Sequence, residues 1–177
     1  EATKTHAQRL HTFETRGYGI LGVADSDRVI YYRRLDRRHT TRSEFDVSNI
    51  ELLPRVDVLL SYQDAPGDLI LAAVERGAAG LVIAASGAGS MSPSQRDAVK
   101  RVLDRSVPIV ITSRTGGGRV VALPTPSNDA REPDDNYFSV RRIAGEDLSP
   151  VKARILLMLA LTQTRDEHEI QRMFEEY

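Results

Sequence analysis

The spacing of apolar and polar positions changes twice along the chain. Between Tyr18 and Arg33 two short apolar runs, Gly19-Ile20-Leu21-Gly22-Val23-Ala24 and Arg28-Val29-Ile30-Tyr31-Tyr32, flank Asp25-Ser26-Asp27. β-Branched and aromatic residues on either side of a polar turn predict a hairpin. From Arg33 to Pro54 neither a helical nor an alternating period persists, so this stretch reads as a linker with a domain boundary near Leu53. Beyond it, continuous apolar runs alternate with helical patterns. Val56 to Tyr62 is predicted as a strand, Gly67 to Glu75 as a helix and Gly80 to Ala84 as a buried strand. A glycine-rich turn follows, then a helix opened by Ser92-Pro93-Ser94-Gln95 and running through Leu103, then a third strand, Val107 to Thr112. Ser at the N-cap, Pro at N1 and Gln at N3 are the residues of a capping box.

Three buried strands separated by helices predict a parallel sheet, because right-handed crossovers lay helices over its faces. The fold class expected is therefore α/β: a small parallel sheet with helices on both faces, Rossmann-like or flavodoxin-like, preceded by a β-hairpin and a linker. The stretch from Leu123 to Asp135, rich in Pro, Asn, Asp and Ser, reads as a long exposed loop. Ser149-Pro150 starts a helix through Thr162 that is apolar on nearly every side, which predicts burial against the sheet. Asp166 and Glu169 form a second capping signal, and Ile170, Met173, Phe174 and Tyr177 fall at helical spacing, so the chain should end on an amphipathic helix. No internal repeat is evident. The expected organisation is 1–32 before the linker, 33–52 as the linker and 53–177 as the α/β domain.

Composition narrows the function classes. Of 177 residues, 24 are Lys or Arg and 25 are Asp or Glu, for a formal charge of -1, so no global field recruits nucleic acid or acidic lipid. The absence of cysteine removes disulfide frameworks, Cys-based metal sites and thiol nucleophiles. Apolar runs such as Ile155 to Leu161 fall far short of the roughly 18 residues of a membrane span, which predicts a soluble chain. The opening Glu-Ala-Thr-Lys-Thr-His has neither an initiator Met nor an apolar region after it, and reads as beginning mid-protein.

Few residues carry chemistry by spacing alone. Ser86-Gly87-Ala88-Gly89-Ser90 follows a buried strand at the end where parallel sheets open their ligand crevice. It lacks the third glycine of a dinucleotide fingerprint and the Lys-Ser/Thr pair of a phosphate loop. It is either a tight strand-to-helix connection or a place where backbone, the Ser90 hydroxyl and a helix N-terminus meet a small ligand. Ser113-Arg114-Thr115-Gly116-Gly117-Gly118-Arg119 is likewise a flexible loop or a second ligand-facing turn. Six arginines lie between Arg28 and Arg42 with Tyr31 and Tyr32 among them, a composition that suits nucleic acid; the acidic residues nearby favour a solvated linker. His6, His11, His39 and His168 show no ligand spacing. Lys4 is by composition an exposed terminal lysine, and no Ser-His-Asp set emerges.

Several stretches together resemble the bacterial type II L-asparaginases, including the glutaminase-asparaginase subgroup. They are Thr3-Lys4-Thr5, the hairpin at Tyr18-Gly19, His39-Thr40-Thr41-Arg42-Ser43, Leu53-Pro54-Arg55-Val56-Asp57-Val58-Leu59, Tyr62-Gln63-Asp64, Gly87-Ala88-Gly89-Ser90, Ser113-Arg114-Thr115-Gly116, and above all Pro150-Val151-Lys152-Ala153-Arg154-Ile155-Leu156-Leu157-Met158-Leu159-Ala160-Leu161-Thr162. Their collinearity over nearly the whole chain makes the resemblance specific.

The resemblance implies a hydrolase that releases ammonia from L-asparagine, and often L-glutamine, without cofactor or metal. It implies a homotetramer built as a dimer of intimate dimers, with no nucleic-acid or membrane partner and a periplasmic or secreted location. It makes 1–32 the tail of an N-terminal domain and 53–177 the C-terminal domain. The family's nucleophile lies in a Thr-Gly-Gly-Thr segment that this sequence does not contain. Lys4 falls on the lysine that activates a second threonine, making a neighbouring hydroxyl a better base. Ser90 falls on a position that the partner subunit presents beside the substrate. Glu132 falls on the partner-donated carboxylate that pairs with the substrate α-amino group, a role suited to an exposed loop carboxylate. Two other readings stand against this one: a non-catalytic α/β amino-acid-binding or assembly module, and nucleic-acid binding through the arginine-rich stretch.

Overall fold

The computed structural model describes residues 2–15, 17–121 and 142–177. They form two compact units, Glu1–Ser43 with Tyr177, and Glu44–Glu176. The expected loop from Leu123 to Asp135, and Glu132 within it, lies outside the described residues.

The first unit holds two small antiparallel hairpins. Strands β1 (Ala2–Lys4) and β2 (Phe13–Thr15) pair with Lys4 opposite Phe13. Their connection is organised by side chains: buried Thr12 accepts from the His6 amide at 2.8 Å, while His6 Nδ1 accepts from the amides of Gln8 and Arg9. The predicted hairpin is present as β3 (Gly22–Ala24) and β4 (Val29–Tyr31), closed where the Asp25 amide donates to Arg28 O at 3.0 Å. A side chain at Gly22 would sit 2.1 Å from Ile30 O, so only glycine allows this strand approach. A 3₁₀ turn at Thr40–Arg42 interrupts the irregular stretch that follows. Arg33 donates its guanidinium to Ile20 O at 2.6 Å, one arginine of the basic run held by the backbone.

The second unit is built on a four-stranded parallel sheet in the order β5 (Val56–Leu60), β6 (Gly80–Ala85), β7 (Ile109–Ser113), β8 (Ile143–Ala144). Helices α1 (Asp68–Glu75) and α2 (Pro93–Leu103) link the first three strands. Because strand side chains alternate, Leu81, Ile83, Ala85, Ile109 and Ile111 form one buried face against Ile70, Ala98, Val99 and Val102 of these helices. The opposite face is covered by α3 (Pro150–Ala160), which packs on β5, β6 and β7, and by α4 (Glu167–Glu176), which packs on β8. Gly80 gives α3 its closest approach, since a side chain there would lie 2.9 Å from Leu161 and 3.0 Å from Leu157.

The structure is an α/β fold with helices on both faces, and it differs from the sequence reading in detail. Strand β5 stops at Leu60, because from Ser61 the chain turns through Asp64, whose φ is +54°. The fourth strand was not expected: at two residues, β8 is too short to show a period. Helix α3 buries Ala153, Leu156, Leu157 and Ala160 but leaves Val151 66% and Ile155 48% exposed, so its apolar residues are not all turned to the sheet. In α4 the stripe of Ile170, Met173 and Phe174 is buried as expected, and Tyr177 lies past the helix end and is half-buried. Asp166 caps this helix, accepting from the amides of His168 and Glu169. Within the second unit Arg172 holds Glu44, its first residue, at 2.8 Å, and Arg172 also reaches Glu169 and Glu176.

Leu157 has no exposed surface and fills the space above Gly80. Leu157→Ala should lower stability by about 2–5 kcal/mol, read as a fall in the denaturation midpoint at unchanged slope. A cost below about 1 kcal/mol would show that this helix is not seated on β6 as described.

Candidate functional site at the carboxyl edge of the sheet

All four strands of the second unit run the same way, so their carboxyl ends lie on one edge. This edge carries Ser61 to Asp64 after β5, Ser86 to Ser90 after β6, Arg114 to Val120 after β7, and Gly145 to Asp147 after β8. Such an edge is where parallel sheets bind ligands, because connections there are free of the packing that fixes the sheet interior.

The β6 loop is tightly made. Ser86 and Ser90 exchange backbone hydrogen bonds in both directions at 2.9 Å, and the Gly89 amide donates to Ser86 O at 3.2 Å. The reversal needs left-handed backbone at Gly87 (φ +55°) and Gly89 (φ +117°). Ser90 is half-buried at its end, two residues before the Ser92 cap of α2. The stretch is therefore a tight strand-to-helix connection, and it also places Ser90 at the carboxyl edge of the sheet. The β7 loop is likewise organised: the Ser113 and Thr115 hydroxyls are 2.7 Å apart, Thr115 Oγ1 donates to Gly117 O, and the Arg114 amide donates to Ala85 O.

An ion pair beside these loops leaves no local signal in the sequence. Glu146 is buried, with φ +53°, and Arg119 donates to its carboxylate. The bond to Glu146 raises the Arg119 pKa. Val120 donates its amide to Glu146 O at 3.0 Å, so side chain and backbone together fasten the β7 loop to the end of β8. A glutamate in a run of Gly-Glu-Asp carries no signal for this role, because its burial is decided by non-local packing.

Lys4 stands in the first unit and Ser90 in the second. Lys4 is exposed on β1, with Nζ 5.8 Å from the centre of the Phe13 ring, a cation–π contact of modest strength at an exposed site. Beside it Thr5 Oγ1 donates to Thr12 O at 3.0 Å. Glu132 lies outside the described residues. Among the described residues no group of three His, Asp or Glu is placed to hold a metal ion, and no helix is long and apolar enough to cross a membrane.

A parallel α/β unit with its loops gathered at one edge is a scaffold many enzymes share, and sequence likeness narrows it to one family. The model of the glutaminase/asparaginase C-terminal domain matches residues 55–174, and the chain belongs to that family. It is 38% identical over 175 residues to L-asparaginase 2 of Bacillus subtilis, covering 99% of this chain and 44% of the relative. It is 34% identical over 177 residues to a protein of Haemophilus influenzae named as a probable periplasmic L-asparaginase, covering 100% of this chain and 48% of the relative. The crystal structure of a probable cytoplasmic L-asparaginase from Campylobacter jejuni superposes with a TM-score of 0.87 at 37% identity, over 99% of this chain and 53% of that one. The chain thus spans about half the length of the curated relatives it matches; the Haemophilus relative is named periplasmic and the Campylobacter neighbour cytoplasmic.

The β6 loop yields a graded expectation. A side chain at Gly87 meets nothing within 4 Å, whereas one at Gly89 lies 3.3 Å from Ile111 Cγ2. Gly87→Ala should cost about 1 kcal/mol and Gly89→Ala about 2 kcal/mol or more, compared in one denaturation series. Equal costs would mean that the loop does not pack on Ile111 as described.

Proposed function

We propose that the protein carrying this chain is an L-asparaginase with accompanying glutaminase activity, which adds water across the side-chain amide of L-asparagine to give L-aspartate and ammonia. What supports this reading is the family match over 55–174 within chain-long identity to L-asparaginases. On it, residues 1–32 are the tail of the N-terminal domain, 33–52 the linker and 53–177 the C-terminal domain. The attacking hydroxyl is a threonine of the family's Thr-Gly-Gly-Thr segment, which this sequence lacks. Lys4 activates the second threonine: its ammonium favours the deprotonated neighbour, and its exchangeable proton relays charge as the tetrahedral intermediate forms and collapses.

In the same reading the C-terminal domain serves the partner subunit's site within a dimer of intimate dimers. Ser90, held at the carboxyl edge of the sheet by its pairing with Ser86, contacts the substrate. Glu132 pairs with the substrate α-ammonium through a charge-assisted hydrogen bond. Exposed apolar side chains on β5 and α3, among them Leu60 and Val151, supply surface for self-association.

Ammonia release from L-asparagine by the full-length protein tests the proposal. That release should vanish in Lys4→Ala, and the 177-residue chain alone should release none. Glu132→Ala should lower kcat/KM by roughly 10- to 100-fold, the equivalent of about 1.5–3 kcal/mol for a charge-assisted bond, with folding intact. An analogue lacking the α-amino group should lose less. Full activity in Lys4→Ala, or equal losses toward both substrates in Glu132→Ala, would contradict the assigned roles.

A further inference from the structure

We propose that Gln95 is a positioning residue that ties the Tyr62–Ala65 turn to the start of α2, so that this turn and Ser90 are held as one rim at the carboxyl edge. The proposal rests on the reading of Ser90 as a substrate contact.

Gln95 is unusual where it stands. It occupies the third position of α2 and is 3% exposed. A capping box would direct its side chain back to the cap residue. Only half of that box forms: Ser92 Oγ accepts from the Gln95 amide at 3.1 Å, but Gln95 Nε2 donates instead to Leu60 O at 3.2 Å, and Gln95 Oε1 has no partner among the described residues. An unpaired buried amide oxygen opposes folding, so a local cap alone does not account for glutamine here. What the position gains is a bond to the last residue of the edge strand β5.

Two neighbours extend the tie. Ser92 Oγ donates to Ala65 O at 2.5 Å, and Ser94 Oγ accepts from the Gly67 amide at 3.0 Å. The first turn of α2 therefore grips the β5–α1 connection at Leu60, Ala65 and Gly67. Gly67 is pressed so closely that an added side chain would lie 2.3 Å from Ser94 O. Between these points Asp64 holds φ +54°, a conformation that a non-glycine residue keeps only where its surroundings impose it.

The same turn of α2 continues directly from Ser90 through Met91. The Ser90 backbone is bonded both ways to Ser86, and the Ser61 amide donates to Ala84 O at 3.0 Å, carrying the sheet pairing past the end of β5. The two adjacent strand-end loops thus share one anchor, and the exposed residues Tyr62, Gln63 and Asp64 become a second wall of the rim that Ser90 lines. A shift of that wall would weaken substrate binding without touching the reacting groups, which raises KM and spares kcat.

The test uses the full-length protein with Gln95→Leu, and Gln95→Met as a second variant of closer shape. Val102→Ala, a fully buried position two turns along α2, is the control for general loss of stability. Both Gln95 variants should speed exchange of the hydrogen-bonded amides of Ser61 and Ala65, and of Ser90, by about tenfold or more, leaving Val82 and Ile83 protected. They should raise KM for asparagine about tenfold with kcat within about twofold. Val102→Ala should lower Tm and do neither. Unchanged exchange at both segments in both Gln95 variants overturns the proposal, as does an equal rise of KM in Val102→Ala. Ser90→Ala separates the two layers of the argument: if it leaves KM unmoved, the assignment of Ser90 fails, and the exchange pattern alone decides for or against the Gln95 tie.

Discussion

Parallel pairing, with Val58 opposite Val82 and Val82 opposite Val110, forces every strand of the larger unit to end on the same edge. The chain must then return across a face of the sheet between strands, which is why α1 and α2 lie on one side while α3 and α4 remain to cover the other. The apolar cost of that arrangement falls on the strands, so β6 is buried at all six residues. The chemical benefit falls on the connections. Ser90 owes its place to this constraint and to two glycines that let the chain reverse within five residues.

Polar burial follows the same division. Among the described residues of the larger unit the buried polar side chains are Ser61, Ser92, Gln95, Thr112 and Glu146. Each lies at a strand end or at the helix start that follows one. Away from that edge the buried side chains are apolar, as a core built on burial alone requires. Four of these five side chains have an identified bond: Thr112 Oγ1 to Ile83 O, Ser92 to Ala65 O, Gln95 to Leu60 O, Glu146 to Arg119. The edge is held by polar ties as well as by packing, and such ties fix geometry more narrowly than apolar contacts do.

Much of this was legible in the sequence, for physical reasons that differ by element. The three long strands and α2 announce themselves because continuous apolar runs and the Ser92-Pro93 start are local signals. The hairpin at Val23 and Ile30 is legible through its polar turn. Strand β8 and the hairpin of β1 and β2 are not, since two or three residues carry no period and their pairing is set by distant partners. The expected capping box at Ser92 is half realised, because a distant carbonyl, Leu60 O, takes the Gln95 side chain that local rules assign to the cap. The exposed stripe of Val151 and Ile155 escaped a reading by helical period because, Lys152 and Arg154 apart, apolar residues lie on nearly every side of α3. Of the candidate site, Ser90 was marked by its place after a buried strand, the roles proposed for Ser90 and Lys4 come from resemblance, and the Arg119–Glu146 pair was invisible to both.

Subunit mixing tests most directly the proposal that one subunit supplies Lys4 and another supplies Ser90 to each site. Full-length protein carrying Lys4→Ala is inactive on this account, as is protein carrying Ser90→Arg, whose side chain blocks the partner's site. Unfolded together and reassociated, the two should regain up to about a quarter of the wild-type activity, because random pairing in a twofold dimer leaves one site of each mixed pair with both residues intact. No recovery above the separate variants, with mixed dimers demonstrably formed, would contradict the shared site.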